Sequence, residues 1–572
     1  MAGSSSIRGS GFRSPIAAEC GAFLILFLGW LLLCRGVLAH FFTRIYQTAA
    51  HVDAAGQLWM SWWSQKAIFD PNLSLFSCPL LNFPLAAKVL VYDVAFIHVL
   101  ISGLIRPILG QVGCLNAVFS AGLLCSLVGT YFLIRQATSS RLFAALLSIL
   151  PLTHFTHWPH HFIDVEMANY GYLTVSIALW WLLLKYGGAK FLLAAGLMTG
   201  ITFITQMYYG IGLLTLFVVA LVAAPFKFGP VPIPYKRTWK LTGAVLLLGL
   251  LIALPLILLS FRELANIPPS SLKLRLMSYP VAAGVERLEP TSLLVLLPLG
   301  MLTWLLHRCD QKILFWFVVT MLFMILGIGE CWDSEGLSKH EILLPLGIIQ
   351  EQIPLLWRIF FPYRFGTMAT IAMVVFLALS QRALIRRFSF LKKFRVPVMM
   401  IILLLANFCA GVISKTGSLL FPPLNPVATN KLPRPPEIFI EMGMDKEKYA
   451  VFDLICGHSR YLSAYYQIFH QKAVAGIPLR PLELRNPKEP VSELTELQQD
   501  LCEEGPARLA SRSWLTERRV KYIVLYQSFL LGKEADFLER FESLYGAPEY
   551  TSPELRVYEL SVHHSPITAP KI

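Results

Sequence analysis

Two acidic stretches of this sequence hold the side chains best suited to catalysis. The first begins at Asp53, which follows a strongly apolar segment and precedes an aromatic run with Trp59, Trp62 and Trp63. A carboxylate there can act as general base for an acceptor hydroxyl or as a ligand of a hard cation. It can also be the N-cap of the following helix, and both roles are compatible. The tryptophans predict an amphipathic helix anchored at the level of the lipid headgroups.

The second acidic stretch holds four histidines and two acids within the thirteen residues 154–166. Asp164 and Glu166 are two positions apart, so both face one side of an extended loop but diverge on a helix. Paired acids are suited to Mg²⁺ or Mn²⁺ bound through oxygens. The metal ligands would be Asp53, Asp164 and Glu166, with His160 and His161 in supporting positions. A solvated histidine-rich turn is the alternative, and the helical HExxH spacing of zinc enzymes is absent.

Several basic residues on predicted outside loops are candidates for holding a lipid phosphate. They are Lys273, Arg275, Arg358 and Arg364. The two arginines flank Phe360-Phe361-Pro362-Tyr363, and a guanidinium beside aromatic rings can bind phosphate oxygens bidentately. Snorkelling of these side chains to headgroups is the alternative.

Two further groups of residues are weaker candidates. Tyr208 and Tyr209, followed by Gly210, interrupt an apolar run and could line a groove or form a plain interfacial turn. His470 and Arg480, near the C-terminus, could contact a sugar or a partner protein.

The composition requires a membrane. Of 572 residues, 55% are hydrophobic and only 15% are charged, whereas soluble proteins have about 25% charged residues. The net charge of +14 does not indicate nucleic-acid binding, because residues 416–572 have 18 basic and 20 acidic side chains. The positive excess therefore lies beside the apolar segments, where it sets membrane topology.

Eleven apolar segments approach the length of about 20 residues that spans a bilayer, so we predict about eleven transmembrane helices, within a range of 11–13. The segments are 17–40, 112–134, 141–156, 170–186, 190–207, 208–225, 240–260, 291–306, 312–328, 363–380 and 396–415. The stretch 89–110 is ambiguous. Counting it as a full span would spoil the alternation of sides, so we interpret it as a partly embedded or interfacial element.

Charge in the short loops predicts which side faces the cytoplasm. Basic turns lie at 135–141, 227–240, 308–312 and 382–395, and such turns usually stay inside. The prediction is an inner-membrane protein with its N-terminus inside and its long loops and C-terminal part outside. The predicted organisation is a cytoplasmic tail (1–16), a transmembrane domain (17–415) with a first outside loop (43–110), a proline-rich linker (416–436) and an α/β domain (437–572).

The C-terminal part has the pattern of a small soluble domain. Three stretches rich in β-branched and aromatic residues predict buried strands, at Tyr449–Ile455, Val520–Tyr526 and Leu555–Leu560. Two charged stretches with helical spacing, 493–502 and 534–545, predict helices.

The pattern resembles the GT-C superfamily of membrane glycosyltransferases. The matching features are one N-terminal span, an outside loop that opens with Asp53, an interfacial helix, a second acidic motif at Asp164-Val165-Glu166, and a soluble C-terminal domain. The runs VDAAGQLWMSWW and LNFP (Leu81–Pro84), the loop from Ile353 to Phe365, and the C-terminal run from His470 to Arg480 with the strand VKYIVLY are similar to poorly characterised bacterial members. The chain departs from the family in having Val-Asp rather than two adjacent acids, and it lacks the oligosaccharyltransferase signature Trp-Trp-Asp-Tyr-Gly.

This resemblance implies a sugar transferase that uses a polyprenyl-phosphate donor and a glycan, lipid or protein acceptor outside the cytoplasmic membrane. Asp53 would be the general base or a cation ligand, Asp164 and Glu166 the second acidic motif, and one of Arg358 and Arg364 a contact to the donor phosphate. The competing hypotheses are a transporter or flippase of a lipid-linked glycan and a non-catalytic assembly protein. The enzyme hypothesis requires Asp53 and the Asp164/Glu166 pair to lie within about 10 Å of each other, because a shared cation needs its ligands at about 2–2.6 Å.

Overall fold

The computed structural model describes residues 15–46, 53–88, 96–138, 140–156, 169–264, 311–328, 331–332, 342–343, 345–352, 364–387, 429–455, 460–475, 492–503, 509–530 and 537–560. These residues group into two compact units. The first unit contains 15–39, 119–255 and the described residues from 311 to 387. The second contains the described residues of 40–118, 256–264 and 429–560, so the first predicted outside loop and the C-terminal part belong to one unit.

Helices dominate the part of the chain up to residue 387. In chain order they are α1 (Pro15–Ala39), α2 (Asp53–Phe69), α3 (Phe96–Ala137), α4 (Arg141–Thr156), α5 (Gly171–Tyr186), α6 (Ala189–Thr205), α7 (Met207–Ala223), α8 (Tyr235–Leu264), α9 (Gln311–Ile328), α10 (Pro345–Gln352) and α11 (Phe365–Arg387). Two short strand pairs accompany them, β2 (Ser77–Cys78) with β3 (Ala87–Lys88) and β4 (Cys331–Trp332) with β5 (Ile342–Leu343).

Five helices of the described chain are long and apolar enough to cross a membrane. They lie within α1, α3, α7, α8 and α11, and α5, α6 and α9 are shorter apolar helices. Each predicted span that falls on described residues coincides with a helix. The predicted spans 291–306 and 396–415 lie outside the described residues, so the total of eleven stays a prediction.

The ambiguous stretch 89–110 is helical from Phe96 onward. It continues into the long helix α3, which is broken at Gly110, where the backbone has φ 70° and ψ −176°. Only glycine enters this region of backbone conformation without steric cost. The predicted boundary at residue 110 therefore falls on a kink, and the partial embedding of 96–109 stays a prediction.

The first unit gathers its basic turns at one end. Glu19 at the start of α1 pairs with Arg141 at the start of α4 and accepts a hydrogen bond of 2.6 Å from Tyr131 near the end of α3. Thr138 donates to Gln381 near the end of α11 over 3.3 Å. The turn between α3 and α4 therefore lies at the same end as the start of α1 and the end of α11.

Aromatic contacts place the remaining basic turns at that same end. Helices α9 and α11 are antiparallel, because Phe317 packs on Phe376 and Phe323 packs on Phe365 at 5.9 and 6.2 Å between ring centroids. Phe228, beside Lys227, contacts Phe315 near the start of α9 at 5.6 Å. This arrangement agrees with the alternation predicted from the loop charges, and which compartment the basic end faces stays a prediction.

The second unit contains a five-stranded sheet with the order β10-β11-β9-β7-β8. The strands are β7 (Ala450–Leu454), β8 (Ala473–Val474), β9 (Val520–Tyr526), β10 (Tyr550–Thr551) and β11 (Leu555–Glu559). Strand β7 pairs in parallel with β8 and β9, and β11 pairs antiparallel with β9 and β10. The three strands predicted from composition are confirmed, and all of β7 is buried, as expected for a central parallel strand.

Helices of the C-terminal part surround this sheet. They are α12 (Glu437–Met444), α13 (Arg460–His470), α14 (Glu493–Glu503), α15 (Arg512–Glu517), α16 (Gln527–Leu530) and α17 (Phe537–Tyr545). Both helices predicted in this region, at 493–502 and 534–545, are confirmed as α14 and α17.

The first outside loop is built into this sheet rather than lying apart from it. The amide of Val474 in the edge strand β8 donates to Leu80 O over 2.9 Å, and the amide of Phe83 donates to Val474 O over 3.1 Å. Between them, Asn82 Oδ1 accepts from the Ser492 amide and from Thr495 Oγ1, both over 3.0 Å. The LNFP motif thus covers an edge strand that would otherwise expose unpaired backbone groups. A second link joins β1 (Ile45–Tyr46) to β6 (Thr429–Asn430).

A buried carboxyl group lies in β7. Asp453 is 2% exposed, and its Oδ2 accepts a hydrogen bond from Ser463 on α13, whereas Oδ1 has no partner among the described residues. Burial raises the pKa of Asp453 to about 7, and the Ser463 hydroxyl opposes this shift.

We expect this group to make the stability of the second unit depend on pH. The folded pKa is above the unfolded value, so the stabilisation is full below about pH 4 and is lost as pH rises to about 7. Between pH 5 and pH 8 the free energy of unfolding should fall by an amount on the order of 2–4 kcal/mol, and Asp453→Asn should abolish this fall. Thermal unfolding of the full chain in detergent measures this, with Glu517→Gln on an exposed helix end as the control. An unchanged pH slope in Asp453→Asn would exclude this role.

Candidate functional site

Most of the predicted site residues lie outside the described residues. These are His160, His161, Asp164, Glu166, Lys273, Arg275 and Arg358. Asp53 is the first residue of α2, and the structure describes its backbone but not its side-chain environment. The convergence of Asp53 with Asp164 and Glu166 therefore stays a prediction. Among the described residues, no group of three His, Cys, Asp or Glu side chains could hold a metal ion.

The structure brings together two predicted residues that are far apart in sequence. The guanidinium carbon of Arg364 lies 4.9 Å from the centre of the Tyr208 ring, and Phe365 meets the same ring edge-on at 6.5 Å. Arg364 is only 4% exposed and Tyr208 only 5%. Such a stacked guanidinium keeps its charge and its planar donors, which are suited to phosphate oxygens.

The start of α11 adds to the positive character of this position. Arg364 directly precedes α11, and the first turn of that helix contains no acidic residue. The unpaired amides of a helix N-terminus favour anions. Thr367, in the same turn, is 1% exposed, and its hydroxyl has no partner among the described residues. This group of donors can bind an oxyanion.

This position lies at the end of the first unit opposite to the basic turns. Tyr208 is in the first turn of α7 and Arg364 precedes α11, whereas Gln381 near the end of α11 meets the α3–α4 turn. Gly212 on α7 packs closely on Met368 of α11, with only 2.8 Å between an added Cβ and the Met368 side chain. Helices α7 and α11 are therefore parallel, and both begin at the candidate site.

Tyr209 is also buried, being 1% exposed, and whether the two tyrosines line a groove stays a prediction. The break in the apolar run is not at the tyrosines but at Gln206, whose extended backbone separates α6 from α7. The Gln206 side chain caps α7 by accepting from the Tyr208 amide over 3.5 Å.

Sequence reasoning missed Asn169 and Tyr170, which lie three and four positions after Glu166. Both are buried. The Asn169 side chain lies so close to Gly122 of α3 that any Cβ there would overlap it. Two polar residues directly before an apolar helix were the sequence feature that could have singled them out. Asn169 and Tyr170 belong to the same unit as Arg364.

The prediction that Trp59, Trp62 and Trp63 lie at the lipid headgroups is wrong. Their exposed fractions are 0%, 3% and 1%, and the rings pack on one another within 5.9–6.3 Å. Helix α2 packs on α13 of the C-terminal part. The tryptophans are therefore core residues of the second unit, because α13 offers them an apolar surface and a polar acceptor for an indole N–H.

Gln467 on α13 is the matched polar group, and sequence reasoning missed it. Its Oε1 accepts from the Trp59 indole over 2.7 Å, while its Nε2 donates to Leu80 O and Lys472 O over 2.7 and 3.0 Å. The side chain is 0% exposed. One amide thus joins the Asp53-bearing helix, the LNFP segment and the end of α13.

His470 is not an accessible sugar contact, contrary to the sequence-based expectation. It is 1% exposed, its Nδ1 accepts from the Lys472 amide over 3.1 Å, and its ring packs on Phe439 at 5.5 Å. Burial, together with the Lys472 charge, lowers the pKa of His470 to about 3, so the imidazole is a neutral structural acceptor. Arg480 lies outside the described residues.

No family model and no curated protein matches the chain. Among solved structures, it is similar to the oligosaccharyltransferase of Archaeoglobus fulgidus tethered with an acceptor peptide, at 12% identity and a TM-score of 0.49, covering 97% of this chain and 75% of that one. A structure of the same protein with Zn and sulfate matches at 12% identity and a TM-score of 0.47, covering 93% and 72%.

The chain is also similar to ArnT from Cupriavidus metallidurans bound to undecaprenyl phosphate, at 10% identity and a TM-score of 0.47, covering 97% of this chain and 99% of that one. Each of these TM-scores is below 0.5.

We expect Gln467→Leu to destabilise the full chain, because it leaves the buried Trp59 indole N–H without its acceptor and removes hydrogen bonds to Leu80 O and Lys472 O. Each buried unpaired group costs about 1–3 kcal/mol. Thermal unfolding in detergent measures the loss. The matched control is Gln498→Leu, which removes a single hydrogen bond to Asp453 O and should cost less. Equal stability of Gln467→Leu and the parent chain would contradict this role.

Proposed function

We propose that this chain is a glycosyltransferase that moves a sugar from a polyprenyl-phosphate donor to an acceptor at the outer face of the cytoplasmic membrane. The observation that carries the proposal is the buried Arg364 stacked on Tyr208 at the start of α11, at the end opposite to the basic turns. A phosphate site in apolar surroundings suits a lipid-linked donor. It does not by itself name the sugar or the acceptor.

In the proposed reaction, the acceptor hydroxyl oxygen attacks the anomeric carbon of the donor sugar. Asp53 takes the hydroxyl proton as the new glycosidic bond forms. The bond between the anomeric carbon and the phosphate oxygen breaks, and polyprenyl phosphate leaves with the negative charge. Arg364 stabilises that charge, with Arg358, Lys273 and Arg275 as further candidates. No covalent enzyme intermediate is needed.

Asp53, Asp164 and Glu166 offer oxygen ligands of the kind that Mg²⁺ and Mn²⁺ prefer. A cation held by them would help to neutralise the phosphate. The direct role of this chain's residues is to orient the acceptor, accept its proton and hold the leaving group.

We expect Asp53→Asn to lower the rate of sugar transfer by about 100-fold or more, because a general base contributes roughly 10²–10⁴-fold. Asp164→Asn should also lower the rate if that residue holds a cation. Release of polyprenyl phosphate in proteoliposomes supplied with a panel of hexosyl and pentosyl donors measures transfer. Asp70→Asn is the matched control, because Asp70 is in the same loop and only caps Asn72. Transfer that survives both site changes at normal expression would favour a transporter or an assembly protein.

We expect Arg364→Gln to raise the KM for the donor and lower kcat, because the guanidinium contacts both the bound phosphate and the departing one. The loss should be about tenfold or more, as for other charge-assisted hydrogen bonds. Arg382→Gln, at the opposite end of the same helix, is the control and should leave both constants unchanged. Identical kinetics of the Arg364→Gln and Arg382→Gln enzymes would rule out a phosphate role for Arg364.

A further inference from the structure

The end of α2 and the first part of α3 lie in direct contact within the second unit. A Cβ added to Gly103 would be 2.8 Å from Ser64 Cβ and 3.0 Å from the Gln65 amide nitrogen, so the helix backbones approach closely there. Further along, Ser61 Oγ and Cys114 Sγ are 3.5 Å apart. This contact lies at the other end of α2 from Asp53.

The contact is rich in hydrogen-bond donors. One Arg106 nitrogen donates to Gln65 Oε1, but Arg106 Nε is buried and has no partner among the described residues. The same holds for Gln111 Nε2 and the Ser64 hydroxyl. Buried donors without acceptors are costly. Three of them on one helix pair indicate that an acceptor from outside the chain belongs there.

The contact also combines two positive charges. Burial lowers the pKa of Lys66, and the nearby charge of Arg106 lowers it further. Lys66 Nζ lies over the Trp62 ring at 5.0 Å and donates a hydrogen bond to Gln471 Oε1 over 2.9 Å. The acceptor of this hydrogen bond is therefore a neutral amide and not a carboxylate. Among the described residues, the hydrogen-bond acceptor of Arg106 is the neutral Gln65 amide and not a carboxylate. An anion would relieve this repulsion.

The outer side of the same α3 segment is apolar. Ile101, Leu104 and Ile108 follow one another at helical spacing, with exposed fractions of 39%, 51% and 83%. A free inorganic anion has no apolar part that could pack on this stripe. A lipid offers both an anionic phosphate and an acyl chain.

We propose that the end of α2 and residues 96–111 form a binding site for the phosphate group of a membrane lipid, with Arg106 and Lys66 as its cations and Ser64 and Gln111 as further donors. The exposed stripe on α3 packs on the acyl chains of that lipid. The site is built from residues of the second unit alone, and it does not rest on the proposed transferase activity.

The test uses the full chain, purified and delipidated in an uncharged detergent, in the Arg364→Gln background. That background removes Arg364, the phosphate contact on which the proposed transferase activity chiefly depends. Native mass spectrometry titrates dioctanoyl phosphatidic acid, and parallel titrations use dioctanoylglycerol and inorganic phosphate. Phosphatidic acid should bind, and both other probes should bind at least tenfold more weakly. Inorganic phosphate that binds as tightly as phosphatidic acid, or dioctanoylglycerol that does so, would overturn a lipid-phosphate site.

Variants locate the bound lipid. Arg106→Gln should weaken phosphatidic acid binding by about tenfold or more, and Lys66→Gln should weaken it by a smaller factor. Arg518→Gln removes a cation that is already paired with Glu493 and should change nothing. Arg106→Lys retains the charge and should bind within a few-fold of the parent, which separates loss of charge from misfolding. Unchanged binding by both Arg106→Gln and Lys66→Gln would overturn the proposal.

Discussion

The cost of placing charge in hydrocarbon orders the first unit. Its helices are apolar along their length, so charged side chains collect at their ends. At one end, Glu19 neutralises Arg141 and accepts from Tyr131, which ties α1, α3 and α4 together. At the other end stands the buried Arg364, stacked on Tyr208. The chemical difference between the two ends is what makes the second one a candidate phosphate site.

The second unit depends on a different constraint, the need to satisfy buried polar groups. Helix α2 buries three tryptophans, and a buried indole N–H requires an acceptor. The Trp63 indole donates to Ser74 O, and the Trp59 indole needs an acceptor from another element. Gln467 supplies that acceptor, and its amide group donates hydrogen bonds to Leu80 O and Lys472 O. The segment Leu80–Phe83 completes the edge of the sheet at β8. The first outside loop and the C-terminal domain therefore form one folded body, and the position of the Asp53-bearing helix is set by C-terminal residues.

The contact between α2 and α3 differs, because some of its buried polar groups have no hydrogen-bond partner among the described residues. Three donors there, the Ser64 hydroxyl, Arg106 Nε and Gln111 Nε2, have no acceptor among the described residues. In a soluble core this would be destabilising, and water or a ligand would be expected. Beside an exposed apolar stripe, a lipid phosphate is the acceptor that fits both halves of the surface.

Local features of the sequence were enough to predict the helices and strands of the described residues. Apolar runs became helices, and the strands at 450–454, 520–526 and 555–559 were readable because β-branched and aromatic residues suit a buried sheet. The basic turns could also be located from the sequence, because the charges that flank an apolar span are its neighbours in the chain.

The surface that an amphipathic element contacts depends on partners that are distant in the sequence. The tryptophans of α2 are equally suited to headgroups and to a protein core, and the presence of Gln467, some 400 positions away, settles the choice. The pairing of Arg364 with Tyr208 likewise depends on helix packing between distant segments. Such partners cannot be read from local composition, because side chains far apart in sequence meet only when the whole chain has found its packing.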